Sequence, residues 1–284
     1  MLAKGEIVEG AAMLGGSVAG GALAQATSLG APYLLRTFLL VASFVVALVL
    51  MRDVGFVPRR SEHPVREMQR VLRSSIRYGL GKRPIRWLVL AAPFTGGVGF
   101  YAFYAMQPYL LELYGDSRAF GVAGLAAAIV AGAQIAGGLM VPLVGRLFRR
   151  RTSVMMVGLV LSTLALAMLA LVPRFWVVLA LLVVWALVFA AVTPVRKAYL
   201  NGLIDSERRA TVLSLDALFE SSGGIVIQPA LGRAADVWSY PMSYAIGAAI
   251  QALALPFVWM ARRERAPSDP IDGAAGDGPG PPAG

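Results

Sequence analysis

Asp216 and Glu220 stand four residues apart in the stretch 210–235, whose only other charge is Arg233. Four residues is about one helical turn, so the two carboxylates share a face. Asp205 or Ser206 can cap a helix beginning there. At about 1.5 Å per residue, Asp216 then lies ~15 Å and Glu220 ~21 Å along it. Two carboxylates so placed repel each other unless one takes up a proton or a cation comes between them. Proton uptake and cation binding are therefore the chemistry on offer. The alternative is structural, with Asp216 holding a helix end or a basic loop.

Other chemistries lack their residues. The chain has no cysteine and a single histidine, His63, in a polar loop, so neither a disulfide nor a metal centre is expected. The acids have no paired histidine, no nucleophile sits in a recognisable context, and no glycine loop follows a strand. Neither an enzyme nor a cofactor is expected.

The elements that carry the two acids are apolar. Residues 10–35, 87–111, 119–145, 152–173, 175–195 and 237–261 hold no Asp, Glu, Lys or Arg; 32–51 holds one Arg. With 210–235 this makes eight stretches long enough for a bilayer core of roughly 30 Å, which needs ~20 residues per helix. The runs do not alternate with period two, which excludes a β-barrel. A hydrophobic content of 57% agrees. The expected fold class is an all-α, polytopic transmembrane bundle of about eight helices, with the lipid bilayer as its first partner. A carboxylate at membrane depth costs at least ~2.5 kcal/mol on insertion scales, so it survives where it meets a polar cavity or a partner group.

Orientation follows from the basic residues. Of 26 Lys and Arg, all but Arg36, Arg118, Arg174 and Arg233 fall on one side of these spans. The positive-inside rule makes that side cytoplasmic and puts both termini there, in a multi-pass protein of the cell's inner membrane. The net charge of +10 is thereby accounted for by topology, over separate loops, and no nucleic-acid partner is expected. No cleavable signal peptide is apparent, because the first apolar run is too long.

The one long connection, residues 54–85, carries Val65, Met68, Leu72 and Ile76 at helical spacing, with Arg66, Arg70, Arg73 and Arg77 projecting elsewhere. It reads either as an amphipathic helix on the inner leaflet or as a solvated linker. Residues 263–284, rich in Pro, Gly, Ala and Asp, read as a disordered tail. Residues 10–53 and 219–262 share a faint repeat at a shift of 209, which pairs Gly15 with Gly224, Ala26 with Ala235, Pro32 with Pro241 and Met51 with Met260. The second copy closes a six-helix block, so the first is expected to close a preceding block lacking four helices.

Three motifs carry a family resemblance over about residues 4–262. Gly145-Arg146-Leu147-Phe148-Arg149-Arg150-Arg151 resembles the C-half basic loop of the major facilitator superfamily, with Phe148 and Arg149 near where its acidic member would stand. Thr193-Pro194, Arg196, Tyr199-Leu200-Asn201 and Asp205 through Thr211 resemble the connection between that family's tenth and eleventh helices. Gly16-Ser17-Val18-Ala19-Gly20-Gly21 is similar to its fifth-helix antiporter motif, with Ser17 in place of proline.

The resemblance implies a division into 1–53, the last two helices of an incomplete half; 54–85, a basic cytoplasmic linker; 86–262, a six-helix half; and the tail. It implies a secondary transporter, working by alternating access, for a small organic solute, with protons as the coupling ion and efflux as the favoured direction. The competing reading is a non-transporting fragment or scaffold that needs a partner for the missing four helices. On the transporter reading, Asp216 and Glu220 couple protons. Tyr101, Tyr104 and Pro108 recur at i, i+3, i+7 beside Gln107, and Gly96, Gly97 and Gly99 with Pro108 permit a broken helix there. Tyr101, Tyr104, Gln107, Gln134 and Gln228 are the candidate solute contacts, packing and interhelical hydrogen bonding being the alternatives. Gly16, Gly20 and Gly21 either pack helices closely or bend one as a gate. Arg146, Arg149, Arg150 and Arg196 are gating or packing candidates, the loop arginines equally serving as topology anchors.

Overall fold

A computed structural model describes residues 2–51, 73 and 76–271. Ten α-helices are present among them: α1 (Leu2–Ala26), α2 (Gly30–Leu50), α3 (Arg83–Tyr114), α4 (Phe120–Leu139), α5 (Val141–Leu147), α6 (Arg151–Leu171), α7 (Phe175–Asn201), α8 (Arg209–Val237), α9 (Tyr240–Ala252) and α10 (Leu255–Arg263). Among the described residues, seven spans are long and apolar enough to cross a bilayer, α9 and α10 counting as one. α1, at 25 residues, is also long enough to cross one. The expected helix over residues 65–76 lies outside the described residues except for Arg73 and Ile76.

Prolines and glycine set the boundaries. Pro84 opens α3 and Gly115, at φ 81°, closes it in the left-handed conformation that glycine adopts without a Cβ penalty. Pro142 ends the expected span 119–145 early by starting the short α5, and Pro256 divides 237–261 into α9 and α10. α3 itself runs unbroken through Pro93 and Pro108, although its sequence permits a break. The turn of the faint repeat recurs: α1 ends at Ala26 and α2 starts at Gly30, as α8 ends at Val237 and α9 starts at Tyr240.

The core lies in two clusters. One gathers Tyr101, Met106, Tyr109, Leu166, Leu182, Trp185 and Tyr244; the other, toward the basic end, gathers Ile85, Leu88, Met155, Tyr199, Val212 and Val258. α3 crosses α8 at backbone contact: a Cβ on Gly97 would stand 2.7 Å from the Gly223 carbonyl. α1 packs on α4 in the same manner, a Cβ on Gly21 falling 2.8 Å from the Gly124 Cα, whereas Gly16 and Gly20 have open space. Small residues let backbones approach where lipid supplies no hydrophobic drive. α2 buries none of its residues and packs on α1.

The tail departs from its expected disorder at 266–271. Ala266, Ser268 and Asp269 are buried. The Asp269 carboxylate accepts the Thr152 amide at 2.9 Å, and its carbonyl accepts the Arg151 amide at 2.8 Å. Ser268 donates to the Tyr199 carbonyl at 2.9 Å and the Ile271 amide to the Arg149 carbonyl at 3.2 Å. A carboxylate at the first turn of α6 satisfies an otherwise unpaired amide and favours the helix dipole. Composition hid this because one aspartate suffices to seat the strap. Asp269→Ala should cost about 1 kcal/mol, as loss of a cap does. Limited proteolysis should then cut at 266–271 sooner than in the parent; an unchanged cleavage rate would count against the strap.

A second tie joins the segment before α3 to the α7–α8 connection. The Tyr78 hydroxyl donates to Asp205, and the Lys82 ammonium lies 3.6 Å from the same carboxylate. The expected capping by Asp205 or Ser206 is corrected here: neither side chain caps, the Asp205 carboxylate being turned to Tyr78, and α8 starts at Arg209 behind the 3-10 turn Ser206–Arg208. The Tyr78 hydrogen bond, helped by the Lys82 charge, holds the Asp205 carboxyl below its usual range. A depressed acid stabilises the fold above its unfolded value, near pH ~4 for aspartate, and loses that contribution as pH falls through the folded value.

Candidate functional site

Starting α8 at Arg209 brings Asp216 to ~10 Å and Glu220 to ~16 Å along the helix, shallower than a start at Ser206 would give. Both acids line a cavity of about 460 Å³. Its walls come from the first halves of α3, α6 and α8, the last half of α7, and Gln251 and Val258 of α9 and α10. These segments all lie at the basic end of the bundle. The surface is mostly apolar, with Leu88, Met155, Leu159 and Val192, and Trp185 stacks on Phe189 at 5.6 Å between ring centres.

Asp216 is committed to Arg196. The guanidinium donates to both carboxylate oxygens, at 2.6 and 2.7 Å, and to the Leu88 carbonyl at 3.3 Å. The pair links α7 to α8 and, through Leu88, to α3. A bidentate, charge-assisted pair with the acid only 9% exposed is a structural joint, because each charge satisfies the other where water is scarce. Glu220 has no hydrogen bond or ion pair among the described residues. Its side chain lies against Gly96, where a methyl group would overlap the Glu220 Cγ. So one acid on this face is neutralised by its partner and the other is held against a glycine with its carboxylate unpaired.

The proposed solute contacts lie elsewhere. None of Tyr101, Tyr104, Gln107, Gln134 and Gln228 lines this cavity. Tyr101 is buried, its hydroxyl sharing a hydrogen bond with Ser243 and its ring tilted against Tyr244. Tyr104 and Gln107 are exposed, so Tyr101 and Tyr104 do not present the single lining face that their spacing suggested. Gln134 and Gln228 are half-buried. Arg146, Arg149 and Arg150 are exposed at the basic end, Arg149 and Arg150 joined to the tail strap by backbone contacts.

Sequence reasoning did not single out Gln251, Ser162 or Lys197. Gln251 is 3% exposed and its amide donates to Ser162 at 2.7 Å and Thr163 at 3.1 Å. The available signal was a lone amide in the charge-free run 237–261, where lipid offers no hydrogen-bond partner.

Residues 117–283 match the family model described as Major Facilitator Superfamily, more than half of the chain. The chain belongs to the major facilitator superfamily. As a member, it is part of a multi-pass membrane transporter family whose substrates are small molecules. A solved structure similar to it is that of a bacterial homologue of the human lysosomal transporter Spinster, in an inward-facing and unoccupied conformation. That similarity has 19% identity and a TM-score of 0.49, covering 88% of this chain and 67% of the other. No curated protein matches the sequence.

Proposed function

We propose that this superfamily member is a secondary active carrier that moves a small organic solute outward in exchange for protons, across the inner membrane, with both termini cytoplasmic. The observation that carries the reading is Glu220: a carboxylate in a mostly apolar cavity, with no hydrogen bond or ion pair among the described residues, beside an Arg196–Asp216 pair that is already closed. A group in that setting can gain and lose a proton without dismantling a helix joint. Asp216, whose loss would dismantle one, suits the role less. The orientation rests on the basic residues of the loops.

Reconstitution into vesicles with an imposed pH gradient tests the reading. Glu220→Gln should abolish gradient-driven flux, a loss of at least ~100-fold as expected when a proton-transfer group is removed. Exchange of solute without a gradient should remain measurable. Unchanged pH dependence in that variant would remove Glu220 from the mechanism.

A second reading, a membrane component that acts only with further helices, draws on α2. Its 21 residues have none buried, and Leu34 and Leu48 are 74% and 72% exposed. Failure of every candidate solute to cross vesicles containing the chain alone would favour it.

A further inference from the structure

We propose that the solute this cavity takes has a protonated amine as its head and a flat apolar body. The proposal rests on the reading of the cavity as the solute site and adds the chemical class of the solute.

Several of the cavity's donors are spent. Arg196 gives its terminal N–H groups to Asp216 and Leu88, and the Gln251 amide nitrogen is taken by Ser162 and Thr163. Those two hydroxyls in turn donate to the Leu159 carbonyl, at 3.1 and 2.7 Å. The Thr95 hydroxyl donates to carbonyls of its own helix. The acceptors that remain for a solute are the Glu220 carboxylate and the Asn201 Oδ1, which is buried without a partner. Lys197, the second wall cation, sits exposed at the rim, with its charge within reach of Glu220.

The arrangement also places a flat surface beside the charge. Gly96 and Gly99 lie three residues apart on α3, a rise of ~4.5 Å. Glu220 rests against Gly96, and a Cβ on Gly99 would stand 3.7 Å from the Phe189 ring. The carboxylate and the Trp185–Phe189 stack are thus about a helical turn apart. An ammonium at Glu220 replaces lost hydration with charge-assisted hydrogen bonds, and the electron-rich ring faces favour the same sign of charge. An anion would be repelled by Glu220 and would find the terminal N–H groups of Arg196 already given to Asp216 and Leu88.

Equilibrium dialysis of the full chain in detergent tests this with three radiolabelled probes: naphthylethylammonium, its neutral alcohol counterpart, and naphthylpropionate. The amine should bind at least about tenfold more tightly than the alcohol, the usual worth of a hydrogen bond to a charged group, and the carboxylate least. Glu220→Gln should bring the amine-to-alcohol ratio close to one, while Glu220→Asp, which keeps the charge, should preserve much of the preference. Preferential binding of the carboxylate, no binding of any probe, or an undiminished ratio in Glu220→Gln would overturn the proposal. Flux measurements in vesicles separate it from the transport reading. Gradient-driven flux without amine preference sinks only the solute class, and amine preference without flux sinks only the transport mechanism.

Discussion

Replacing Asp216 by Asn should destabilise the protein by about 3–5 kcal/mol, the cost of leaving one buried charge without its partner. The Arg196 guanidinium would keep only neutral acceptors, the asparagine Oδ1 and the Leu88 carbonyl at 3.3 Å, in place of two charged contacts below 2.8 Å. Arg196→Met should cost a similar amount by stranding the carboxylate. The double variant Arg196→Met/Asp216→Leu should recover most of the loss, because well-packed apolar groups can replace a buried pair nearly neutrally. Thermal unfolding of the purified chain in detergent, measured for the wild type and these three variants, closes a double-mutant cycle. The contrast with Glu220 is the informative part. If Asp216→Asn folded as well as the parent and lost only proton-driven flux, Asp216 would be the titrating group and the joint described above would be incidental.

That division of labour between two acids was half legible in the sequence. Both stood out because charge is rare at membrane depth, and their common face followed from spacing alone. Their difference did not follow, because it depends on Arg196, twenty residues earlier on an antiparallel helix. In one dimension Arg196 and Lys197 look like two basic residues marking a span's inner end; in space the first turns inward and the second stays at the rim. The aromatic residues of α3 show the converse limit. Tyr101 and Tyr104 lie three apart and were readable as one face, yet Ser243 and Tyr244 draw Tyr101 into the core and leave Tyr104 outside. Helical spacing says which residues are neighbours and nothing of what the next helix offers them.

Boundaries divided along the same line. The apolar spans and their order were readable, since length and absence of charge decide them. The breaks near Met140 and Leu253 trace to Pro142 and Pro256, whereas the start of α8 and the seating of Asp269 were not readable, because each is decided by a local competitor for a backbone or side-chain group. Asp205 is the clearest case: a good capping residue by type, it has its carboxylate taken by Tyr78 and Lys82. Residues 266–271 have a tail's composition, but Asp269 meets an unsatisfied amide at the start of α6 and stays.

Gly223→Ala should be among the most damaging single methyl additions in the bundle. A Cβ there would lie 2.6 Å from the Pro93 carbonyl carbon, and the atoms it meets are all backbone, so no side chain can rotate away. Relief requires α3 and α8 to separate, and the separation acts on the neighbouring turn where Glu220 is seated against Gly96. Overpacking of a close contact costs about 1–3 kcal/mol, and backbone against backbone belongs at or above the upper end. Gly232→Ala on the same helix is the control: nothing lies within 4 Å of its Cβ position, so the better helix propensity of alanine, up to ~1 kcal/mol, should make it neutral or stabilising. Thermal midpoints of the two variants in detergent should therefore move in opposite directions or differ strongly, and Gly223→Ala should also blunt any effect of Glu220→Gln on flux, because the carboxylate no longer meets its glycine. Equal midpoints for the two variants would mean that α3 and α8 do not cross at this contact, and with it the placement of Glu220 in the cavity wall would fall.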